Sequence, residues 1–144
     1  MTHRVATRER LFNRVTRLLA RVGAGPRKWH VLTVVGRKTG RTYSTPISVV
    51  TLDGQRWLVA PYKYAEWFKN AAAAGVVGLD RRGFHERLAV EPVAGLEAAR
   101  VLRAYLTIEP IFRKRFGLSP EDPADAFLRI VPEHPVLRAS LPRD

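Results

Sequence analysis

Residues 31–46, VLTVVGRKTGRTYSTP, gather cationic side chains, hydroxyls and glycines into one short stretch. A β-branched run from Val31 to Val35 stops at Gly36. Arg37, Lys38 and Arg41 then crowd around Thr39 and Gly40, and a second strand-like run begins at Tyr43. Two strands joined by a loop of cations, a hydroxyl and glycine-freed backbone N–H groups form an oxyanion cradle. A phosphate or a polycarboxylate suits such a loop, which points to an anionic cofactor.

The remaining residues offer little chemistry of their own. The chain has no cysteine, which removes disulfides, thiolate metal sites and thiol catalysis. His3, His30, His85 and His134 lack metal-ligand spacing, so no metal site is expected. There is no G-x-x-x-x-G-K-[ST] loop and no G-x-G-x-x-G opening a helix after a strand. No serine sits in a G-x-S-x-G elbow. An enzyme built this way takes its reactive atoms from a cofactor.

The elements that must hold the loop can be read from periodicity. Residues 8–22 form an amphipathic helix, with Leu11, Phe12, Val15, Leu18, Leu19 and Val22 on one stripe and arginines off it. Strands follow over Trp29–Val35, Tyr43–Leu52 and Gln55–Ala60, the last two joined by the hairpin pair Asp53-Gly54. A helix is expected over Tyr64–Ala74 with Gly75 ending it. A hairpin follows over Val76–Asp80 and Phe84–Val93, around Arg81-Arg82-Gly83. Further helices are expected over Gly95–Leu106, Glu109–Phe116 and Pro123–Ile130. The 144 residues read as one α+β domain, a small antiparallel barrel with helices packed outside. Its parts are the 8–22 helix, a barrel core over 29–93, a helical region over 95–130 and an extended tail over 131–144.

The formal net charge is +12, and residues 1–41 hold eleven of the basic residues against Glu9 alone. Such a field suits an anionic cofactor, an anionic membrane surface or nucleic acid. Nucleic acid is set aside, because neither an aromatic-basic RNA-binding strand nor a recognition helix is present. The 8–22 helix is open to two readings: docking on the domain, or lying on the inner face of the cell membrane. No apolar run is long enough to span a bilayer, and the N-terminus lacks a secretory hydrophobic core, so a cytoplasmic protein is expected.

One ordered set of residues carries a likeness. Gly36–Gly40 (GRKTG) is followed by Thr45-Pro46 and by a strand ending Leu58–Tyr62 (LVAPY). Trp67 and Asn70 (W-x-x-N) and an alanine-rich stretch come next. The set resembles the deazaflavin (F420)-dependent nitroreductase family, the F420H2-dependent quinone and nitro reductases common in actinobacteria. The resemblance implies a split antiparallel β-barrel of the flavin-reductase type and an oxidoreductase. Hydride would pass from reduced F420 to an electron-poor acceptor, namely a quinone, a nitroaromatic or an enone.

It further implies that Gly36, Arg37, Lys38, Thr39, Gly40 and Arg41 hold the cofactor's phosphate and glutamate tail, with Thr45 and Pro46 beside them. Ala60, Pro61, Tyr62, Trp67 and Asn70 would lie near the deazaflavin ring. Trp67 can equally be read as core. The family pattern carries an arginine where this chain has Tyr43. The helix that covers the substrate side carries tyrosines in prodrug-activating members; here Glu109, Phe112 and Arg115 stand there as substrate-binding candidates. Tyr62 and Tyr105 are the candidate phenolic donors. Rival readings keep the barrel with flavin mononucleotide (FMN), or make the chain a non-catalytic cofactor- or lipid-binding protein at a membrane. Split barrels of this kind often pair, so a homodimer is a further expectation.

Overall fold

The computed structural model describes residues 17–62 and 65–142. Strands β1 (Trp29–Val35), β2 (Thr42–Leu52), β3 (Gln55–Val59), β4 (Val76–Arg81), β5 (Phe84–Val93) and β6 (Val136–Ser140) pair antiparallel throughout. They close into a barrel in the order β1-β2-β3-β6-β5-β4. The tail expected to be merely extended is therefore a structural strand. β6 pairs Val59 with Val136 on one side and Val93 with Val136 on the other, and the 29–93 segment alone leaves the barrel open.

Strand alternation divides the apolar residues between two cores. Leu32, Val34, Val49, Leu58, Val77, Leu79, Leu88, Val90, Leu137 and Ala139 fill the barrel interior. Their neighbours Val50, Trp57, Val59 and Val136 turn outward, onto helices α3 (Gly95–Ile108) and α5 (Ala124–Ile130). Phe127, Leu102 and Leu106 are fully enclosed there, each worth about 1.5–3 kcal/mol by burial. Both tight hairpins have two consecutive positive φ angles, at Asp53 and Gly54 and at Arg82 and Gly83. That is the backbone of a type I′ turn, whose twist matches the flanking strands.

The barrel has differently built ends. At one, helix α2 (Glu66–Ala74) lowers Ala71 into the interior and packs Trp67 and Phe68 against it. Arg56 and Glu86 lie on the same strand faces as the interior Leu58 and Leu88, toward the other end. They join there in a bidentate pair at 2.7 and 2.6 Å. Those hydrogen bonds, and then the Arg56 charge, hold the Glu86 carboxyl below its ordinary pKa.

Residues 17–24 are helical and form α1 as far as it is described; the expected start of this helix, residues 8–16, lies outside the described residues. Arg81 donates to the carbonyls of Val22, Gly25 and Trp29, and Arg82 donates to that of Gly23. Cations at a helix C-terminus meet both its orphan carbonyls and the negative end of its dipole. Helix α2 begins at Glu66, two residues after the expected Tyr64, which is outside the described residues. The segment expected as a helix over Glu109–Phe116 is instead a 3-10 turn, Pro110–Phe112, followed by the short α4 (Arg113–Phe116). No helix among the described residues is long and apolar enough to cross a membrane.

Candidate functional site

The loop between β1 and β2 closes on itself. The Gly36 N–H donates to the Arg41 carbonyl at 2.7 Å, and the Gly40 N–H to the Gly36 carbonyl at 2.9 Å. The Arg41 N–H donates to Thr39 Oγ1 at 3.2 Å and the Arg37 N–H to Asn70 Oδ1 at 3.1 Å. These four donors are engaged inside the protein, which corrects the expectation of glycine-freed N–H groups facing a ligand. Lys38 and Thr39 keep backbone N–H groups without a partner among the described residues.

Arg37 is likewise occupied. Its Nη1 donates to Asn70 Oδ1 at 2.7 Å and to Glu66 Oε2 at 2.9 Å. The hydrogen bond from Arg37, and then its charge, hold the Glu66 carboxyl below its ordinary pKa. Asn70 is buried, so its carbonyl ties the loop to α2 from below. Lys38 and Arg41 have no ion pair among the described residues, and both are exposed.

Tyr43 takes a role the sequence did not suggest. Its hydroxyl lies 3.0 Å from Thr39 Oγ1 and buttresses the loop. A Cβ at Gly36 would stand 2.6 Å from Tyr43 Cε2 and 2.8 Å from Thr39 Oγ1. Only glycine leaves room for that ring and hydroxyl against the backbone.

Two clefts adjoin at this end of the barrel. The first, of about 450 Å³, lies between the loop and α2 and is lined by Gly36, Arg37, Lys38, Thr39, Glu66 and Asn70 among others. The second, of about 500 Å³, runs along the outside of β2 between α1 and the end of α3. Its walls include Pro46, Ile47, Trp29, Tyr62, Tyr105 and Phe112, with Leu18, Arg21 and Val22 from α1. Thr45 and Trp67 line both clefts. Trp67 thus serves both readings made of it, packing on the barrel core and walling the site.

The aromatic wall is continuous. Tyr105 stacks on Phe116 with centroids 5.9 Å apart, and Phe116 stacks on His134 at 4.0 Å. Phe112 packs on Tyr105 at 5.6 Å and meets the edge of Tyr62 at 6.4 Å. Burial first, then the charge of Glu109, raises the Tyr105 phenol far above its ordinary pKa. Burial lowers the His134 imidazole below its ordinary value, and its Nδ1 is enclosed without a partner among the described residues.

At the far side of the aromatic cleft lies a polar cluster. Glu109 is buried, and its Oε1 accepts from Ser48 Oγ at 2.6 Å and from Trp29 Nε1 at 3.3 Å, with Lys28 Nζ at 3.2 Å. Lys28 also donates to the Ile108 carbonyl. A side chain at Gly25 would enter the Trp29 ring, so the glycine seats that indole.

The structure sorts the expected residues. Gly36, Arg37, Lys38, Thr39, Thr45, Trp67 and Asn70 come together at the basic cleft. Pro46, Pro61, Tyr62, Tyr105, Glu109 and Phe112 line the aromatic one. Gly40 and Arg41 are in the loop but do not line either cleft. Ala60 is buried and donates its N–H to the Pro135 carbonyl. Arg115 stays outside and places its guanidinium 4.3 Å above the Tyr62 ring. Lys28, Trp29, Ser48, Glu66 and the α1 residues escaped the sequence reading. Trp29 and Lys28 lie about 80 positions from Glu109, and no local pattern joins them.

A closed antiparallel barrel with a basic loop and an aromatic cleft at one end is a barrel of the split-barrel type. The sequence pattern of the F420H(2)-dependent quinone reductases matches residues 6–115. The chain belongs to that family, and is an F420-dependent reductase. No curated protein matches it. Among solved structures, an F420-H2 dependent reductase (FDR-A) is similar with a TM-score of 0.55 at 16% identity, over 79% of this chain and 95% of that one. A structure described as a domain-swapped dimer gives 0.60 at 16% identity, over 93% and 96%. The haem-storage protein HutZ from Vibrio cholerae gives 0.55 at 12% identity, over 82% and 84%. At these identities the likeness speaks for the fold.

Proposed function

We propose that the chain binds F420 across the two clefts and reduces a planar, electron-poor acceptor, with quinones ahead of nitroaromatics and enones. The observation that carries this is the junction at Thr45 and Trp67, where a cationic cleft continues into an aromatic one. A long polyanion joined to a flat ring needs both surfaces in that order. Lys38 in the basic cleft, the N–H groups of Lys38 and Thr39 that have no partner among the described residues, and Arg41 on the loop beyond the cleft's edge suit a phosphodiester and a carboxylate tail running out over the loop. Pro46, Ile47, Trp67 and Phe112 suit the faces of two stacked rings.

Bound F420 in its reduced form supplies the hydride. The chain's own part is to hold ring and acceptor together and keep water from between them. Asn70 and Tyr43 fix the loop, and Trp67 separates the polar and apolar halves. Tyr105, with its pKa raised by burial, stays a phenol at neutral pH. It can donate a hydrogen bond to an acceptor oxygen, and burial disfavours loss of its proton. Tyr62 is half exposed on the wall of the aromatic cleft, where solvent can reach to supply the product's proton.

Titrating the purified chain with F420 and with FMN side by side tests the assignment. F420 binding well ahead of FMN, followed by quinone-dependent loss of reduced F420, is expected. Preferential FMN binding would replace F420 by flavin. Binding of neither would leave the clefts without a redox cofactor.

A further inference from the structure

We propose that Glu109 is a specificity-determining residue that selects acceptors bearing a hydrogen-bond donor next to the ring being reduced. This rests on the aromatic cleft seating the acceptor. The carboxylate is fixed through one oxygen: Ser48, Trp29 and Lys28 all converge on Oε1. Oε2 has no hydrogen-bond partner among the described residues. It is also not among the fully enclosed unpartnered atoms, which are Arg103 Nε and His134 Nδ1. Glu109 lines the aromatic cleft, and we take Oε2 as the atom it offers there.

A carboxylate oxygen accepts only. It attracts an O–H or N–H and repels a bare carbonyl or carboxylate oxygen set against it. Three anchoring donors hold its position before a ligand arrives, so little ordering cost falls on binding. Tyr105, held as a phenol beside it, offers the complementary donor. The cleft is therefore matched to a ring that presents a carbonyl oxygen at one point and a hydroxyl or amino group at another. Hydroxyl- or amino-bearing quinones are the substrate class that meets both demands.

The test uses the full chain without added cofactor, so it does not depend on F420 binding or turnover. A hydroxymethyl-naphthoquinone and its methyl ether share ring and redox character and differ in one O–H. Quenching of tryptophan fluorescence reports binding, since Trp29 and Trp67 line the cleft. The alcohol should bind roughly 10- to 100-fold more tightly than the ether, the range for a hydrogen bond to a charged acceptor. Glu109→Gln keeps the shape, but its carbonyl oxygen must face the three donors, which sets the amide NH2, a donor, where Oε2 stood, so the preference for the alcohol should vanish. Equal affinities in the wild-type chain would overturn the proposal whether or not the variant folds. So would a preference that Glu109→Gln leaves intact, or no quenching by either quinone.

Discussion

Replacing Asn70 by alanine tests whether the basic loop is positioned by α2. Asn70 is 7% exposed, and its Oδ1 accepts from the Arg37 backbone at 3.1 Å and the Arg37 guanidinium at 2.7 Å. Truncation removes both hydrogen bonds. The guanidinium retains Glu66, but the backbone N–H has no second partner among the described residues. One unsatisfied, part-buried donor and one lost charge-assisted bond together cost about 2 kcal/mol. The Arg37–Glu66 pair cannot compensate, because its carboxylate sits in water and is screened. For a chain of this size, the loss lowers the melting temperature by roughly 6 °C. Urea unfolding followed by tryptophan fluorescence measures it directly. Asn70→Asp keeps the Oδ1 acceptor, exchanging only the NH2 for a second oxygen, and should retain wild-type stability and most of the F420 affinity. Asn70→Ala within about 0.5 kcal/mol of wild type would refute the clamp. A stable Asn70→Asp that no longer binds F420 would place the amide on the cofactor instead of on the loop.

Three further outcomes follow from the structure. Gly36→Ala should destabilise by about 1–3 kcal/mol through its contacts with Tyr43 and Thr39. Adding Tyr43→Ala should recover part of that loss, and strict additivity in the double-mutant cycle would show the ring is not the obstacle. The pKa of Glu86 is lowered in the folded chain by hydrogen bonds from Arg56. Its stabilisation is therefore present above the unfolded carboxyl value of about 4.3 and is lost as pH falls through the folded value. Glu86→Gln should flatten that acid limb of the unfolding free energy, and an unchanged limb would assign it to other carboxyls. The pKa of His134 is lowered by burial, so the unfolded chain binds its proton first on acidification. Stability should decline as pH falls below about 6.5, and His134→Gln should lessen that decline, the remainder falling to His30, whose pKa burial also lowers.

Local signals carried most of the barrel. The alternation in β2 and β5, the Asp53-Gly54 and Arg82-Gly83 turns and Gly75 at the end of α2 all act within a few residues. β6 has no such signal: its five residues follow a proline-rich segment, and their partners on β3 lie some 80 positions earlier. The basic loop was legible as a site because its cations are contiguous in the chain. Which of them remain available was not, since Asn70 and Glu66 reach Arg37 from about 30 residues away. Tyr43 looked like a lost cation and is instead a buttress for Thr39. Glu109 stood out in sequence as an unusual residue on the substrate side. Its triple anchoring depends on Lys28, Trp29 and Ser48, which only the closed barrel brings together.

The most direct test of the paired clefts is a fluorescence titration of F420 against wild type and the double variant Lys38→Ala/Arg41→Ala. Cofactor with a long glutamate tail should be compared with its tailless form. If the basic loop holds the anionic arm, the variant should bind the long-tailed cofactor roughly tenfold or more weakly, with a smaller loss for the tailless form. Added salt should narrow the gap. Equal affinities for wild type and variant across both forms would contradict the placement of F420 along these clefts.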